Sequence, residues 1–465
     1  MTYEDFLLNK TSTNIDYGIN PIYIPDTMFD FQRHITEQGI RKGRMAGFID
    51  TGLGKTFIEL ITAYNFILGT NKRAIIITPL AVAFQFISEA EKFGISDIEY
   101  SKDGKFKSKL VVCNYERLEK FNPNDFECAI LDESSILKNF KGAIKQIVTV
   151  FMRKIKYRFL FTATPSPNDY IELGTSSEAL GYMGYMDMLT KFFANNENNI
   201  RPQDIGNKFY LKPHAKHDFF RWVKSWSISM RKPSDLGFSD DLFILPELTI
   251  NKYPVKNDKN WIEDGQILLF GKIAKRQSEV QQEQKMTIEN RCEKAVELAS
   301  MHETSVYWCN LNPEGDLLRQ IDKNAVEIKG SMDIDKKEEI LLAFSKGEIK
   351  KLITKPTITA FGLNWQHCNH TVYFPTFSYE QYYQAIRRFW RFGQKNPVTC
   401  DMVFSDGQKR VIDTLLVKSD KANELFNCLN SELNDQFEIS KREFKNNVKL
   451  PLFINYENKA AANYR

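Results

Sequence analysis

Short apolar runs alternate with amphipathic stretches over the first part of the chain. Between residues 26 and 178, uniformly apolar runs of strand length are separated by segments in which apolar residues recur at helical spacing. Strands that helices bury on both faces have this uniform apolar character. The pattern therefore predicts a parallel sheet covered by helices. The predicted strands are 45–49, 73–78, 110–113, 128–132 and 158–163, and the predicted helices are 55–68, 80–93 and 141–154.

The alternation stops and then returns in the second half of the chain. Between 179 and 285 Gly, Asn, Pro and aromatic residues become frequent, and a Gln/Glu-rich helical segment follows at 272–300. We interpret this region as a mainly helical insertion and a linker. The strands predicted beyond it are 305–309, 325–328, 350–354, 370–374 and 397–404, and the helices are 333–345, 379–392 and 408–430.

The predicted fold class is therefore α/β, with two lobes of parallel sheet covered by helices. At 465 residues the chain exceeds the size that one hydrophobic core usually supports, so two large domains are expected. The predicted segments are an N-terminal extension (1–25), a first lobe (26–178), the insertion and linker (179–285), a second lobe (286–430) and a C-terminal tail (431–465).

Composition narrows the choice of function only slightly. The net charge is +4, from 63 basic and 59 acidic residues, so charge alone does not indicate a nucleic-acid partner. The seven cysteines include no CxxC pair and are expected to be reduced core residues. No apolar run is long enough to cross a bilayer, and the N-terminus does not resemble a signal segment. We therefore expect a soluble, intracellular protein without a membrane partner.

A phosphate-binding loop is predicted at DTGLGKT, residues 50–56. Because the loop joins a predicted strand to a predicted helix, its glycines can bring backbone N–H groups and the positive helix end to a phosphate. Lys55 can reach the β- and γ-phosphates of ATP, and the Thr56 hydroxyl can ligate Mg²⁺. Ile49 replaces the first glycine of the full motif, so this is the shortened G-x-G-K-T form. The residues predicted to bind ATP here are Thr51, Gly52, Leu53, Gly54, Lys55 and Thr56.

An acidic pair follows the apolar run at 128–132. Asp132 and Glu133 would lie at the carboxyl edge of the sheet, where open α/β sheets bind ligands. Asp132 is predicted to hold Mg²⁺, and Glu133 to orient and deprotonate an attacking water. Taken by itself, the pair is more typical of an ordinary loop start, and its spacing after Lys55 is what favours the functional interpretation.

QAIRRFWRFGQ at 384–394 places Arg388 and Arg391 three residues apart, on one face if the segment is helical. Arginines that reach a γ-phosphate from a second lobe stabilise the charge of the transition state. A basic helix surface is the alternative, although bulky aromatic residues interrupt the arginines. The predicted catalytic residues are Lys55, Asp132, Glu133, Arg388 and Arg391.

Other groups of residues are better explained by packing or solvent exposure than by a catalytic or binding role. His367, Cys368 and His370 could hold zinc but lack a second ligand pair, so packing is the favoured interpretation. The basic residues that crowd between 138 and 158 are typical of a solvated surface. Aromatic residues in the insertion could stack on bases, but an apolar helical protrusion explains them better. These aromatic residues are Tyr182, Tyr185, Phe192, Phe193, Phe219, Phe220, Trp222 and Trp226.

In this order, the motifs resemble those of superfamily-two helicase-type ATPases, which have two RecA-like lobes. Within that superfamily they are similar to the Swi/Snf group of double-stranded DNA translocases, including its small phage and bacterial members. The resemblance extends from Phe29 to Leu429, and residues 384–394 carry the Q-A-x-x-R-x-x-R-x-G-Q pattern of the group. Ser134 and Ser135 replace the Ala/Gly-His that usually follows the acidic pair.

The resemblance implies further site residues. Gln32 would read the adenine of ATP, and Gly362 and Gln384 would complete the ATP site. Nucleic acid would contact segments of both lobes that match the family's motifs. The residues implied are Pro79, Gln85, Asn114, Tyr115, Lys138, Asn139, Thr162, Gly330, Ser331 and Asn364.

The resemblance also implies a function. ATP and Mg²⁺ would be the cofactors, and ATP hydrolysis would drive movement along DNA, with duplex DNA favoured over RNA and protein partners unknown. The localisation implied is the cytoplasm of a bacterial or phage-infected cell. A strand-separating DNA or RNA helicase and a non-hydrolysing nucleic-acid-binding scaffold stay as alternatives. A nucleotide kinase is less favoured, because its chemistry requires no second lobe with an arginine pair.

Overall fold

Two fully parallel sheets organise the part of the chain that a computed structural model describes. These residues are 17–79, 82–196, 208–256, 261–263, 266–268, 277–358 and 365–430. The chain divides into two compact units, the first formed by Met1–Asp240 with Ala422–Arg465 and the second by Asp241–Lys421. No helix among the described residues is long and apolar enough to cross a membrane.

The sheet of the first unit has seven strands in the order β3-β4-β2-β5-β6-β1-β9, and every neighbouring pair is parallel. The strands are β1 (Arg44–Ile49), β2 (Arg73–Thr78), β3 (Ile98–Tyr100), β4 (Leu110–Asn114), β5 (Phe126–Asp132), β6 (Tyr157–Thr162) and β9 (Ser227–Met230). The short antiparallel pair β7 (Phe193–Asn195) and β8 (Phe209–Leu211) lies apart from it.

Helices cover this sheet on both faces, which explains why its strands are uniformly apolar. Ile75, Ile76 and Ile77 are consecutive on β2, so they point to opposite faces, and all are fully buried. The helices of this unit are α1 (Asp30–Lys42), α2 (Lys55–Thr70), α3 (Ala83–Lys92), α4 (Ala143–Arg153), α5 (Leu173–Leu180), α6 (Tyr185–Phe192) and α7 (Lys216–Trp226).

The aromatic residues between 182 and 226 belong to the core of the first unit. Phe219, Trp222 and Trp226 are fully buried, and the ring centroids of Trp222 and Trp226 lie 5.4 Å apart. The prediction of an apolar protrusion is therefore wrong. Helix α7 returns the chain to the sheet, where β9 pairs with β1, so part of the predicted insertion completes the first sheet.

The second sheet has six parallel strands in the order β10-β17-β16-β13-β15-β14. The strands are β10 (Leu248–Val255), β13 (Ser305–Trp308), β14 (Ala325–Glu327), β15 (Lys351–Thr354), β16 (His370–Tyr373) and β17 (Val398–Ser405). Strand β10 comes from the predicted linker and lies at the edge of the sheet. Its Pro254 has no N–H to donate, and an edge strand tolerates this because no further strand pairs with its outer side. A separate antiparallel pair comprises β11 (Trp261–Glu263) and β12 (Gln266–Leu268).

The helices that accompany the second sheet follow the predicted alternation. They are α8 (Gln277–Met286), α9 (Ile288–Ser300), α10 (Asn312–Ile321), α11 (Ile334–Ser345), α12 (Tyr379–Ile386) and α13 (Lys409–Asn430). The last turns of α13 belong to the first unit, where Leu425, Phe426 and Leu429 join the hydrophobic core. In the same unit, Glu424 accepts a 2.8 Å hydrogen bond from the Tyr170 hydroxyl.

The His/Cys cluster of the second unit is a packing feature. His370 Nδ1 lies 2.8 Å from Ser305 Oγ, and its Nε2 lies 3.1 Å from Asp401 Oδ2. Among the described residues no group of three or more His, Cys, Asp or Glu side chains could hold a metal ion directly. All seven cysteines are free thiols, and six of them are buried. Cys368 and His370 are thus buried in the core, whereas His367 is exposed and packs its ring against Phe344.

The basic run between 138 and 158 does not form one solvated surface. Lys145 on α4 and Glu178 on α5 form a buried ion pair of 2.6 Å, with the ammonium 4.7 Å from the Phe140 ring centroid. Arg158 is also buried and donates to the carbonyl oxygens of Ile155 and Leu180. Two of the seven basic residues therefore stabilise the interior.

We expect Lys145→Ala to lower the free energy of unfolding by about 3–5 kcal/mol, because Glu178 would be left charged and buried without its partner. Lys145→Met combined with Glu178→Leu removes both charges at similar volume and is expected to recover most of the loss. Urea denaturation followed by the fluorescence of Trp222 and Trp226, both in the core of the first unit, measures the difference. Wild-type stability of Lys145→Ala would contradict this account.

Candidate functional site

The loop between β1 and α2 has the backbone geometry of a phosphate cradle. Gly52 and Gly54 have φ angles of 84° and 79°, in the left-handed region that favours glycine. A Cβ added to Gly54 would lie 2.2 Å from Gln32 Nε2, so no larger residue fits there without displacing Gln32. Helix α2 begins at Lys55, and among the described residues no side chain caps its N-terminus. The positive end of the helix is therefore directed at the loop.

Lys55 folds back over this loop. Its Nζ donates to Ile49 O at 3.1 Å and lies 3.5 Å from Asp50 O. The Asp50 carboxylate accepts a 2.6 Å hydrogen bond from Thr51 N, which fixes the first turn of the loop. Backbone carbonyls thus hold the Lys55 ammonium at the loop that the sequence predicts to bind phosphates.

Gln32 is part of the same loop assembly. Its Nε2 donates to Leu53 O at 3.0 Å, and its Oε1 accepts from Phe29 N at 3.1 Å. Both ends of the amide are therefore used within the protein, and Gln32 supports the loop. The contact with adenine that the family resemblance implies stays a prediction.

Asp132 ends strand β5 beside the loop. The Thr78 hydroxyl, at the end of the neighbouring strand β2, donates to Asp132 Oδ2 at 2.8 Å. The Tyr115 hydroxyl donates to the backbone carbonyl of Asp132. Burial, with a smaller contribution from the nearby Glu133, raises the pKa of Asp132 to about 7, although the Thr78 hydroxyl and Lys55 oppose the shift.

Glu133 has a φ of 48°, unusual for a residue with a side chain. The strained conformation turns the chain sharply after β5, and Thr162 Oγ1, at the end of β6, donates to Glu133 Oε2 at 3.2 Å. Residues in such strained conformations cluster at functional sites, and the surrounding structure holds them there. The carboxylate is only partly buried, so a water molecule can reach it.

The arrangement fits Mg²⁺. The cation prefers hard oxygen ligands and usually takes one or two protein groups together with phosphate oxygens and waters. Thr56 at the start of α2 and Asp132 at the end of β5 supply such oxygens. The neighbouring Glu133 contributes to the raised pKa of Asp132, so two carboxyl groups that a divalent cation would hold in their charged forms lie together here.

Three of the residues predicted to contact nucleic acid are buried and bond within the protein, and their contact with nucleic acid stays a prediction. Asn114 accepts from the Tyr100 hydroxyl at 3.1 Å, Tyr115 donates to Asp132, and Thr162 donates to Glu133. These side chains support the acidic pair and its surroundings. The predicted residues with accessible surface are Pro79, Gln85, Lys138, Asn139, Gly330 and Ser331.

The arginine segment is a turn, which corrects the predicted helix over 379–392. Helix α12 ends at Ile386, so Arg388 and Arg391 lie beyond it. Trp365 N donates to Arg388 O at 3.1 Å, and Trp390 Nε1 donates to Pro246 O at 2.7 Å. These bonds hold the turn against two other segments of the second unit.

Gln394 organises the end of this turn. Its buried amide nitrogen donates to Cys368 O at 3.2 Å and Phe389 O at 3.3 Å. Its oxygen accepts from the backbone N–H groups of Lys395 and Asn396. Gly393 before it has a φ of 90°, which explains why glycine occupies this position.

The remaining predicted residues divide between the two units. Gln384 lies on α12 and is partly exposed, while Gly362 and Asn364 lie outside the described residues. The loop, Asp132 and Glu133 belong to the first unit, and Arg388 and Arg391 to the second. That both sets act on the same phosphates stays a prediction.

Sequence reasoning missed two polar residues of the site, Thr78 and Glu59. Thr78 ends a predicted strand, and only the pairing of β2 with β5 brings it to Asp132. Glu59 is fully buried on α2, one turn after Lys55. A single acid within the apolar stretch FIELITA was the signal that could have revealed it.

Comparison with known families agrees with this geometry. Residues 29–173 match the sequence profile of the DEAD/DEAH box helicase family, and residues 271–393 match that of the helicase conserved C-terminal domain. No curated protein sequence matches the chain significantly.

Solved structures of helicase-type proteins resemble the chain. One is the Sulfolobus solfataricus SWI2/SNF2 ATPase core in complex with dsDNA, with 16% identity over 88% of this chain and 98% of that one, and a TM-score of 0.42. Another is an S. cerevisiae Dbp5 variant bound to a Gle1 variant and IP6, with 12% identity over 85% of this chain and 86% of that one, and a TM-score of 0.51. At such identities the likeness concerns the fold alone.

The chain is thus a protein of two RecA-like α/β lobes, as predicted. Its first lobe carries a DEAD/DEAH box helicase domain, and its second carries a helicase conserved C-terminal domain.

We expect Gly54→Ala to weaken ATP binding about tenfold or more, because the methyl group adds backbone strain and displaces Gln32 from the loop. Gly94→Ala is the matched control, since Gly94 has a φ of 74° but nothing lies within 4 Å of an added Cβ. Titration with a fluorescent ATP analogue measures both variants. Equal affinities for the two would show that the Gln32 contact is unimportant.

Proposed function

We propose that this chain is a nucleic-acid-stimulated ATPase that hydrolyses ATP to ADP and phosphate and moves along duplex DNA. The helicase profiles support nucleotide hydrolysis coupled to nucleic acid, and the motif pattern at 384–394 favours the Swi/Snf group of translocases. The observation that carries the proposal is the convergence of Lys55, Asp132 and Glu133 at the carboxyl edge of one sheet.

In this proposal Lys55 leaves the carbonyls of the loop and binds the β- and γ-phosphates of ATP. Thr56 and Asp132 hold Mg²⁺, which when bound supplies positive charge to the phosphate oxygens. The backbone N–H groups of the glycine loop bind the remaining phosphate oxygens.

Glu133 is the general base. Its carboxylate accepts a proton from water as the water oxygen bonds to the γ-phosphorus and the bond to the bridging oxygen of ADP breaks. Thr162 holds the carboxylate through its hydroxyl, so a shift of the TATP segment (162–165) would change the orientation of the base. Arg388 and Arg391 stabilise the developing charge from the second lobe, an effect worth about 10³–10⁵ in rate.

Nucleic acid binds through its phosphates in this proposal. Lys138, Asn139, Gly330 and Ser331 are accessible, so they are the candidates for backbone contacts. Affinity would then be mainly electrostatic and decrease with salt.

A strand-separating DNA or RNA helicase is the second candidate, because the DEAD/DEAH profile fits it equally well. A non-hydrolysing scaffold is less favoured, since Lys55, Asp132, Glu133 and both arginines are present.

We expect Lys55→Ala to abolish nucleic-acid-stimulated ATP hydrolysis and Glu133→Gln to reduce it by about 10²–10⁴-fold, because the first removes phosphate binding and the second the base. Lys92→Ala, at an exposed lysine paired with Glu89, is the control and should hydrolyse ATP normally. Phosphate release with and without DNA measures all three. Unchanged turnover in either site variant excludes the proposed mechanism.

Duplex DNA should stimulate hydrolysis more than single-stranded DNA or RNA, and stimulation should fall as salt rises. Displacement of the third strand of a triplex without separation of a duplex is the expected result for a translocase. Separation of duplex strands in the parallel assay would instead identify a helicase.

A further inference from the structure

Glu59 is a buried carboxyl group that the mechanism above does not use. It lies on α2, three residues after Thr56 and four after Lys55, so these side chains share one side of the helix. Its side chain is 0% exposed, and among the described residues neither carboxylate oxygen has a hydrogen-bond partner. Burial of an unpartnered carboxylate is costly, so a group of this kind requires an explanation.

The charges around Glu59 belong to the nucleotide site. Asp132, Lys55 and Glu133 all interact with it electrostatically. Burial raises the pKa of Glu59 well above its usual range, and Asp132 adds to the shift, whereas Lys55 opposes it. Three acids and one lysine thus interact at the place where the nucleotide is proposed to bring a divalent cation.

The three acids do not form a direct metal site. No cluster of three such side chains in the described part of the chain could ligate one ion. Magnesium commonly keeps several of its waters in proteins, and outer carboxylates that accept from those waters orient the site and tune its affinity.

We propose that Glu59 is the outer-shell carboxylate of the magnesium site, whose unpartnered oxygens accept hydrogen bonds from water bound to the Mg²⁺ that arrives with the nucleotide. The inference rests on the proposed function, because it assumes that Thr56 and Asp132 hold this ion. Glu59 is then a positioning residue, and its loss should affect Mg²⁺-dependent binding more than nucleotide binding itself.

The test measures the affinity of the full-length protein for a fluorescent ADP analogue, with Mg²⁺ and with EDTA. We expect Mg²⁺ to tighten binding in the wild type, and Glu59→Gln to reduce that gain by about 10–100-fold while affinity in EDTA stays unchanged or improves. Thr62→Val is the matched control, because Thr62 is also buried on α2 with an unpartnered hydroxyl but lies one turn further from the loop. Its Mg²⁺ gain should equal that of the wild type.

Glu59→Asp separates positioning from packing. The shorter acid keeps the charge, so it should retain more of the Mg²⁺ gain than Glu59→Gln does, although it leaves a cavity. A purely structural Glu59 predicts the reverse order, since Gln preserves the shape.

The outcomes distinguish a failure of the role of Glu59 from a failure of the proposed nucleotide site. A wild-type Mg²⁺ gain in Glu59→Gln overturns the role of Glu59. If Mg²⁺ does not tighten ADP binding in the wild type and Lys55→Ala does not weaken it, the proposed nucleotide site itself is wrong.

Discussion

The candidate site depends on the parallel register of four strands in the first sheet. Residue pairing sets Phe48 beside Thr162 and Asp132 beside Phe161, so β1, β5 and β6 end at one level. Strand β2 ends beside them and contributes Thr78. Because parallel strands share one carboxyl edge, every side chain that follows a strand end is delivered to the same place. A slip of one residue in β5 would turn Asp132 to the opposite face of the sheet.

Polar groups at this edge are held by other polar groups that lie deeper in the unit. Thr78 and Tyr115 donate to Asp132, and Thr162 donates to Glu133. Each donor comes from the end of a different strand or from the turn after it. The acidic pair is therefore oriented by the sheet as a whole, and the segments around it respond together when one of them moves.

The sequence predicted ten of the thirteen strands in the two described parallel sheets and missed β3, β9 and β10. All ten predicted strands lie within two residues of observed ones, because buried parallel strands have an unmistakable apolar pattern. The segment after Ile386 was misread as helix, since its turn is fixed by Trp365, Gly393 and Gln394 through bonds that no local pattern shows. Glu59 and Thr78 escaped notice for the same reason: their importance comes from neighbours that are distant in sequence.

The first unit is built from two separate stretches of the chain, and this affects how it folds on the ribosome. Leu425, Phe426 and Leu429 belong to a core whose other members precede residue 241. The second lobe is therefore synthesised in full before the last apolar residues of the first emerge. Until then, the hydrophobic core of the first lobe lacks these three side chains, so co-translational folding of the first half stays incomplete until the end of the chain is made.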